Sequence, residues 1–189
     1  MIRIGILGDI GSGKSYVAKL FGYPVFNADF EVAKLYRKSR KCYKRLKKIL
    51  PDYVNSFPIK KKSLSKAVLK NPKNLQKITK IIHPEIRLRL EKFIRKNRNK
   101  KYTVLDIPLL IEKKINKKND ILIFVDAKKK DINKKLKKKY KGNLKIVKKF
   151  KKLQLNLERK KNKSDFTIKN NFNHKSVKKN VKILLKKIY

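Results

Sequence analysis

The most constraining feature of the chain lies at its start. Arg3 to Leu7 has the apolar run of a buried strand, and Gly8-Asp9-Ile10-Gly11-Ser12-Gly13-Lys14-Ser15 follows directly. That segment fits Gly-x-x-x-x-Gly-Lys-Ser/Thr. Ser15 to Phe21 then places Val17, Leu20 and Phe21 on a helical stripe that ends at Gly22, a favourable residue just past a helix end. A strand, a glycine turn and a helix in this order make a cradle for phosphate. Glycine lets successive N–H groups turn inward without a Cβ clash, and those amides together with the helix start attract an anion. Gly11, Ser12 and Gly13 form the cradle, Lys14 reaches the β and γ oxygens, the Ser15 hydroxyl is placed to ligate Mg²⁺, and the Tyr16 N–H reaches the α-phosphate. The competing explanation is a chance glycine turn, against which the matched strand–turn–helix context speaks. The ligand implied is a nucleoside triphosphate.

The remaining pattern alternates strands with helices, which predicts an α/β fold with a parallel sheet. Short strands are expected at 24–26, 102–107, 121–126 and 165–169. One helix is expected from Asp29 to Leu50, stopped by Pro51, with a loop at 51–62 and a short helix at 63–70. A further helix begins after Pro72, reaches a junction at His83-Pro84, and keeps its period through Ile86, Leu90 and Ile94. Residues 128–163 are expected as lysine-rich helix with sparse apolar points, and 177–188 as a C-terminal helix. There is no internal repeat.

Composition narrows the function classes. The 189 residues are 40% hydrophobic, enough for a core. The single cysteine, Cys42, forms no internal disulfide and holds no zinc alone, so a reduced, cytoplasmic setting is expected. The longest apolar run, Ile121 to Val125, is too short for a membrane span, and the first residues lack the shape of a secretion signal. Lys and Arg total 57 against 13 Asp and Glu, a net charge of +44. Either a nucleic-acid surface or compositional drift accounts for this excess. Lysines interleave with apolar residues from end to end and outnumber arginines, the better base readers. Drift is therefore favoured, no specific nucleic-acid or membrane partner is expected, and weak, salt-sensitive adhesion to RNA is expected under either explanation. A small-molecule kinase suits the length. A guanine-reading Asn-Lys-x-Asp segment is missing, since Asn116-Lys117-Lys118-Asn119-Asp120 has the wrong spacing.

Five segments in register resemble the dephospho-coenzyme A kinase family. They are Gly5 to Ser15; Phe26-Asn27-Ala28-Asp29; Leu75 to Ile86 with its Ile-His-Pro; Asp106-Ile107-Pro108-Leu109-Leu110-Ile111-Glu112; and Gln154 through Lys160 to Ser164-Asp165-Phe166-Thr167-Ile168-Lys169-Asn170. The resemblance implies a P-loop kinase fold: a central five-stranded parallel sheet flanked by helices, with a small helical acceptor-binding lobe and a lid. It implies a core at about 1–36, 100–127 and 164–189, an acceptor lobe at about 37–99 and a lid at about 128–163. It also implies ATP-dependent phosphorylation of the ribose 3′-hydroxyl of dephospho-coenzyme A, the last step of coenzyme A synthesis, with ATP and Mg²⁺ as cofactors. The oligomeric state is left open.

A hydroxyl attacking a γ-phosphate needs a carboxylate to orient it and take its proton. The resemblance assigns that role to Asp29, which also binds the acceptor and whose other reading is a helix cap. Asn27 contributes a hydrogen bond. Asp106, at the end of an apolar strand, either joins Ser15 in the metal shell or is a strand-end turn residue. His83 is either on the acceptor side or structural. Pro108, Leu109 and Leu110 wall the acceptor site, Glu112 fixes that loop, and Asn170 lies near the adenine. Lys135 and Lys139 occupy the positions of the family's lid arginines, with charge but no bidentate fork. Asp9 departs from the family's small residue, a carboxylate that weakens triphosphate binding unless it faces solvent or a lysine. Two rival functions remain: another nucleoside or nucleotide kinase, and a nucleic-acid binder.

Overall fold

The first strand, β1 (Ile2–Gly8), is buried from Arg3 onward, as befits a strand covered on both faces. The computed structural model describes residues 1–140 and 144–188. After β1 come α1 (Lys14–Leu20), β2 (Val25–Asn27), α2 (Ala28–Lys38), α3 (Arg40–Ile49), α4 (Lys61–Lys70) and α5 (Lys73–Lys96). They are followed by β3 (Tyr102–Asp106), β4 (Ile121–Asp126), α6 (Lys129–Lys139), α7 (Lys145–Lys151), α8 (Leu157–Asn162), β5 (Phe166–Lys169) and α9 (His174–Ile188). All five strands are parallel, in the order β2-β3-β1-β4-β5. The expected α/β architecture with a five-stranded parallel sheet is therefore the observed one.

The chain divides into two compact units, residues 1–27 with 97–189, and residues 28–96. In the first, Ile4, Ile6, Val104 and Ile123 of the sheet share a core with Val17 of α1 and Val181 of α9, and most of these side chains are fully enclosed. Each such side chain contributes about 1.5–3 kcal/mol by leaving water. The one charged residue inside β1, Arg3, is paired with Asp120 at 2.5 Å and donates to the Ile115 carbonyl at 3.1 Å. Asp120 also accepts the Lys117 N–H. This buried pair ties the turn before β4 to the start of the sheet.

The second unit is helical. Its core joins Leu35 of α2, Leu46 of α3, Leu64 of α4 and Ile78, Ile82 and Leu90 of α5. Helix α2 belongs to this unit, where it packs on α3 and α5. Arg89 of α5 bonds Glu31 of α2 at 2.7 Å. Cys42 is buried in this unit, and burial pushes its thiol pKa up, so it behaves as a core side chain rather than a nucleophile.

Three expected helices are corrected. The helix at 29–50 is two, because Ser39 takes an extended conformation and its Oγ accepts the Cys42 N–H at 3.2 Å, capping α3. The His83-Pro84 junction is the middle of one continuous helix, α5, which carries Pro84 inside it. Proline forfeits a bond to the carbonyl four residues back, yet Ile78 and Ile82 before it and Leu90 after it are buried and hold both halves. The lysine-rich helix at 128–163 is three helices, α6 to α8, and Asn156 caps α8 by accepting the Glu158 N–H at 2.8 Å. Residues 141–143 of that expected helix lie outside the described residues.

Candidate functional site

The site forms at the C-terminal ends of β1, β2 and β3, where open parallel sheets bind ligands. The glycine turn links the end of β1, at Gly8, to α1, which starts at Lys14. Its residues need glycine for two separate reasons. Gly13 has φ +90°, and a Cβ there would stand 2.3 Å from Asn170 Nδ2. Gly11 has φ +88°, and a Cβ there would press on Leu136 of α6 at 3.0 Å. The turn is thus shaped by its neighbours as well as by its own backbone.

Lys14 lies folded over the turn, with Nζ donating to the carbonyls of Asp9 at 2.8 Å and Gly8 at 3.2 Å. The Ser12 N–H closes onto the Asp9 carbonyl at 3.1 Å and the Tyr16 N–H onto the Gly13 carbonyl at 3.0 Å. Ser12 is fully buried, and its Oγ has no hydrogen-bond partner among the described residues.

Opposite the turn, the parallel register sets Asn27 of β2 beside Asp106 of β3. The Asn27 amide donates to the Asp106 carboxylate and reaches Ser15 Oγ at 3.4 Å. One side chain therefore gathers a hydroxyl and a carboxylate from two other elements. Asp106 is 4% exposed. Ser15 and Asp106 offer hard oxygens, the donor type that suits Mg²⁺ alongside phosphate oxygens and water. Among the described residues, no group of three or more His, Cys, Asp or Glu is placed to hold a metal ion alone.

Asn170, just past β5, is buried, and both ends of its amide are engaged. Nδ2 donates to the Ser12 carbonyl at 2.7 Å, and Oδ1 accepts the Phe172 N–H at 2.9 Å. In this arrangement it braces the glycine turn. Phe172, at φ +61°, has the Lys135 ammonium 4.7 Å from its ring centre. Lys139 places its own ammonium 5.7 Å from the Tyr140 ring.

After β3, Pro108 and Leu109 are partly exposed, whereas Leu110 is fully buried and would meet a Cβ on Gly5 at 2.5 Å. Leu110 accordingly packs into the core beneath its loop. Glu112 accepts Lys160 Nζ at 2.7 Å and the Leu155 N–H at 3.1 Å. The two side chains are 8% and 1% exposed, so this is a buried ion pair joining the loop after β3 to α8.

Asp29 and His83 belong to the second unit. Asp29 is exposed in the first turn of α2, inside the helix rather than capping it, and follows Asn27 by two residues. His83 is exposed midway along α5. Two features escaped the sequence reading: the salt bridge from Lys151 of α7 to Asp9 at 2.9 Å, and the contact of Phe172 with Lys135. Asp9 itself was the signal for the first, since a carboxylate in a phosphate cradle calls for a cation, but one lysine in so basic a chain cannot be told from the next.

The chain matches the dephospho-CoA kinase family model over residues 2–176. It is 34% identical over 174 residues to the dephospho-CoA kinase of Wolbachia pipientis wMel, a match covering 87% of each chain. To the dephospho-CoA kinase of Wolbachia sp. subsp. Brugia malayi it is 37% identical over 129 residues, 66% of each chain, so that match spans just under two thirds of the relative's length. Among solved structures, a Thermus thermophilus protein superposes with a TM-score of 0.79 at 26% identity, covering 100% of this chain and 98% of that one. The dephospho-CoA kinase of Campylobacter jejuni shares the fold, with a TM-score of 0.65 at 21% identity over 98% of this chain and 96% of that one.

Proposed function

The chain belongs to the dephospho-CoA kinase family, and from that premise we propose that it moves the γ-phosphoryl group of ATP to the ribose 3′-hydroxyl of dephospho-coenzyme A, giving coenzyme A and ADP. The observation that carries this reading is the meeting of Ser15, Asn27 and Asp106 beside a glycine turn that holds Lys14. A phosphoryl transfer needs positioning and charge stabilisation more than covalent help from the protein, and this set supplies both. The turn and Lys14 take the β- and γ-phosphates once Lys14 exchanges its carbonyl partners for phosphate oxygens. Ser15 and Asp106 would hold Mg²⁺, which neutralises charge on the phosphates.

The acceptor hydroxyl oxygen forms the new bond to the γ-phosphorus as the bond to the β,γ-bridging oxygen breaks. Asp29 receives the hydroxyl proton, a role supported by the match of Asn27-Ala28-Asp29 to the family. Pro108 and Leu109, with the core-packed Leu110 beneath them, border the acceptor, and His83 belongs to the acceptor side of this reading. Lys135 and Lys139 serve as lid cations on helix α6, and the adenine lies near Asn170 and Phe172. No described helix is long and apolar enough to cross a membrane, and a cytoplasmic site of action is part of the proposal.

A coupled ADP-release assay tests it. Turnover is expected with dephospho-coenzyme A and not with adenosine or AMP. Lys14→Ala abolishes turnover, and Asp29→Asn lowers kcat by about 10²–10⁴-fold, the usual range for general-base catalysis, while ATP still binds. Full activity in Asp29→Asn would remove that residue from the mechanism.

A further inference from the structure

Asp9 puts a formal negative charge into a turn built to receive a triphosphate. Its carboxylate is only 10% exposed, with Oδ1 accepting the Ile10 N–H at 2.6 Å and Oδ2 lying 2.9 Å from Lys151 Nζ. Its backbone carbonyl accepts both Lys14 Nζ and the Ser12 N–H. One residue is thus wired through its main chain to the phosphate-binding lysine and through its side chain to α7. Helix α6 reaches the same turn independently, since Leu136 and Ile132 close over Gly11 with 3.0 and 3.2 Å to a Cβ built there. Both helices before the α7–α8 connection therefore rest on the phosphate turn.

We propose that Lys151 is a positioning residue for nucleotide binding: its ammonium masks the Asp9 carboxylate and holds α7 against the turn, which allows a cradle carrying a carboxylate to accept a triphosphate. Without the mask, like charges face each other at short range in a partly buried place, where repulsion is screened less than in open solvent. This inference rests on the reading of the glycine turn as the ATP site.

The test compares ATP affinity by calorimetry, and KM and kcat with dephospho-coenzyme A, across five proteins: wild type, Lys151→Met, Lys151→Arg, the double variant Asp9→Asn with Lys151→Met, and Lys152→Met as a neighbouring charge control. Lys151→Met is expected to weaken ATP binding about tenfold, equivalent to about 1.4 kcal/mol, with the KM for dephospho-coenzyme A within twofold of wild type. Lys151→Arg and Lys152→Met keep wild-type affinity. The double variant regains ATP affinity to within about twofold of wild type, because the charge needing the mask is gone. A Lys151→Met protein that binds ATP as Lys152→Met does overturns the proposal. So does a double variant as weak as Lys151→Met, which would place the ammonium on the nucleotide itself. A wild type that binds no ATP brings down the site reading and this inference together, whereas a wild type that binds it alongside an unaffected Lys151→Met brings down the inference alone.

Discussion

At the scale of single residues, the glycine turn after β1 is constrained by what surrounds it. Gly13 combines φ +90° with an approach of 2.3 Å between a built Cβ and Asn170 Nδ2. Alanine there meets a backbone conformation that L-residues avoid and displaces an amide that bonds the Ser12 carbonyl. A strained non-glycine backbone costs about 1–3 kcal/mol, and the lost hydrogen bond adds about 1 kcal/mol. Gly13→Ala is therefore expected to lower stability by about 2–4 kcal/mol, read from the urea midpoint, and to abolish measurable ATP binding. A variant with an unchanged midpoint and normal ATP binding would show that the turn is not held this way. The turn was legible in the sequence because its chemistry demands fixed residue types at fixed spacing. Resemblance alone singles out Asn170 as a candidate, and its bond to Ser12 was not legible, because that bond joins residues far apart in the chain and depends on how β5 pairs with β4.

At the scale of elements, the sheet was readable and the helix boundaries less so. Buried parallel strands are short apolar runs with little competing interpretation. Helix ends turn on single capping residues, and Ser39 sits within a continuous periodic pattern where nothing but its backbone conformation reveals the break. In α6 to α8 the apolar points are sparse, so periodicity alone could not separate three short helices from a long one. Helix α8 is placed instead by a charge pair. Lys160 is 1% exposed and meets Glu112 at 2.7 Å, and the second Glu112 oxygen is buried without a partner among the described residues. Removing one member of a buried pair strands the other charge, at a cost of about 3–5 kcal/mol. Lys160→Met is expected to destabilise by that amount in thermal or denaturant unfolding. The double variant Glu112→Gln with Lys160→Met is expected to recover most of the loss, since no buried charge then remains. Equal damage in both would assign the role to the shape of the lysine stem rather than to its charge.

At the scale of the whole molecule, the net charge of +44 demands an account that the fold does not give. Net charge concerns partners and association rates, not architecture. Among the described residues few of these cations are specific ligands: Arg3, Lys34, Lys41, Arg89, Lys151 and Lys160 are paired with carboxylates, whereas Lys175, Lys178, Lys179, Lys182 and Lys186 line one stretch of α9. Both proposed substrates carry phosphate groups. A positive field of this size raises their local concentration and speeds encounter, and the effect fades as the Debye length shrinks from about 10 Å at 0.1 M salt to about 3 Å at 1 M. The KM values for ATP and for dephospho-coenzyme A should therefore both climb with ionic strength while kcat stays nearly level, because the field acts before the bound complex forms. Single lysine-to-methionine changes on α9 should shift the slope of log KM against salt only slightly, since the field is a sum over the whole surface. If instead one such change removed most of the salt dependence, the charge would be working as a localised docking site, and compositional drift would no longer explain it.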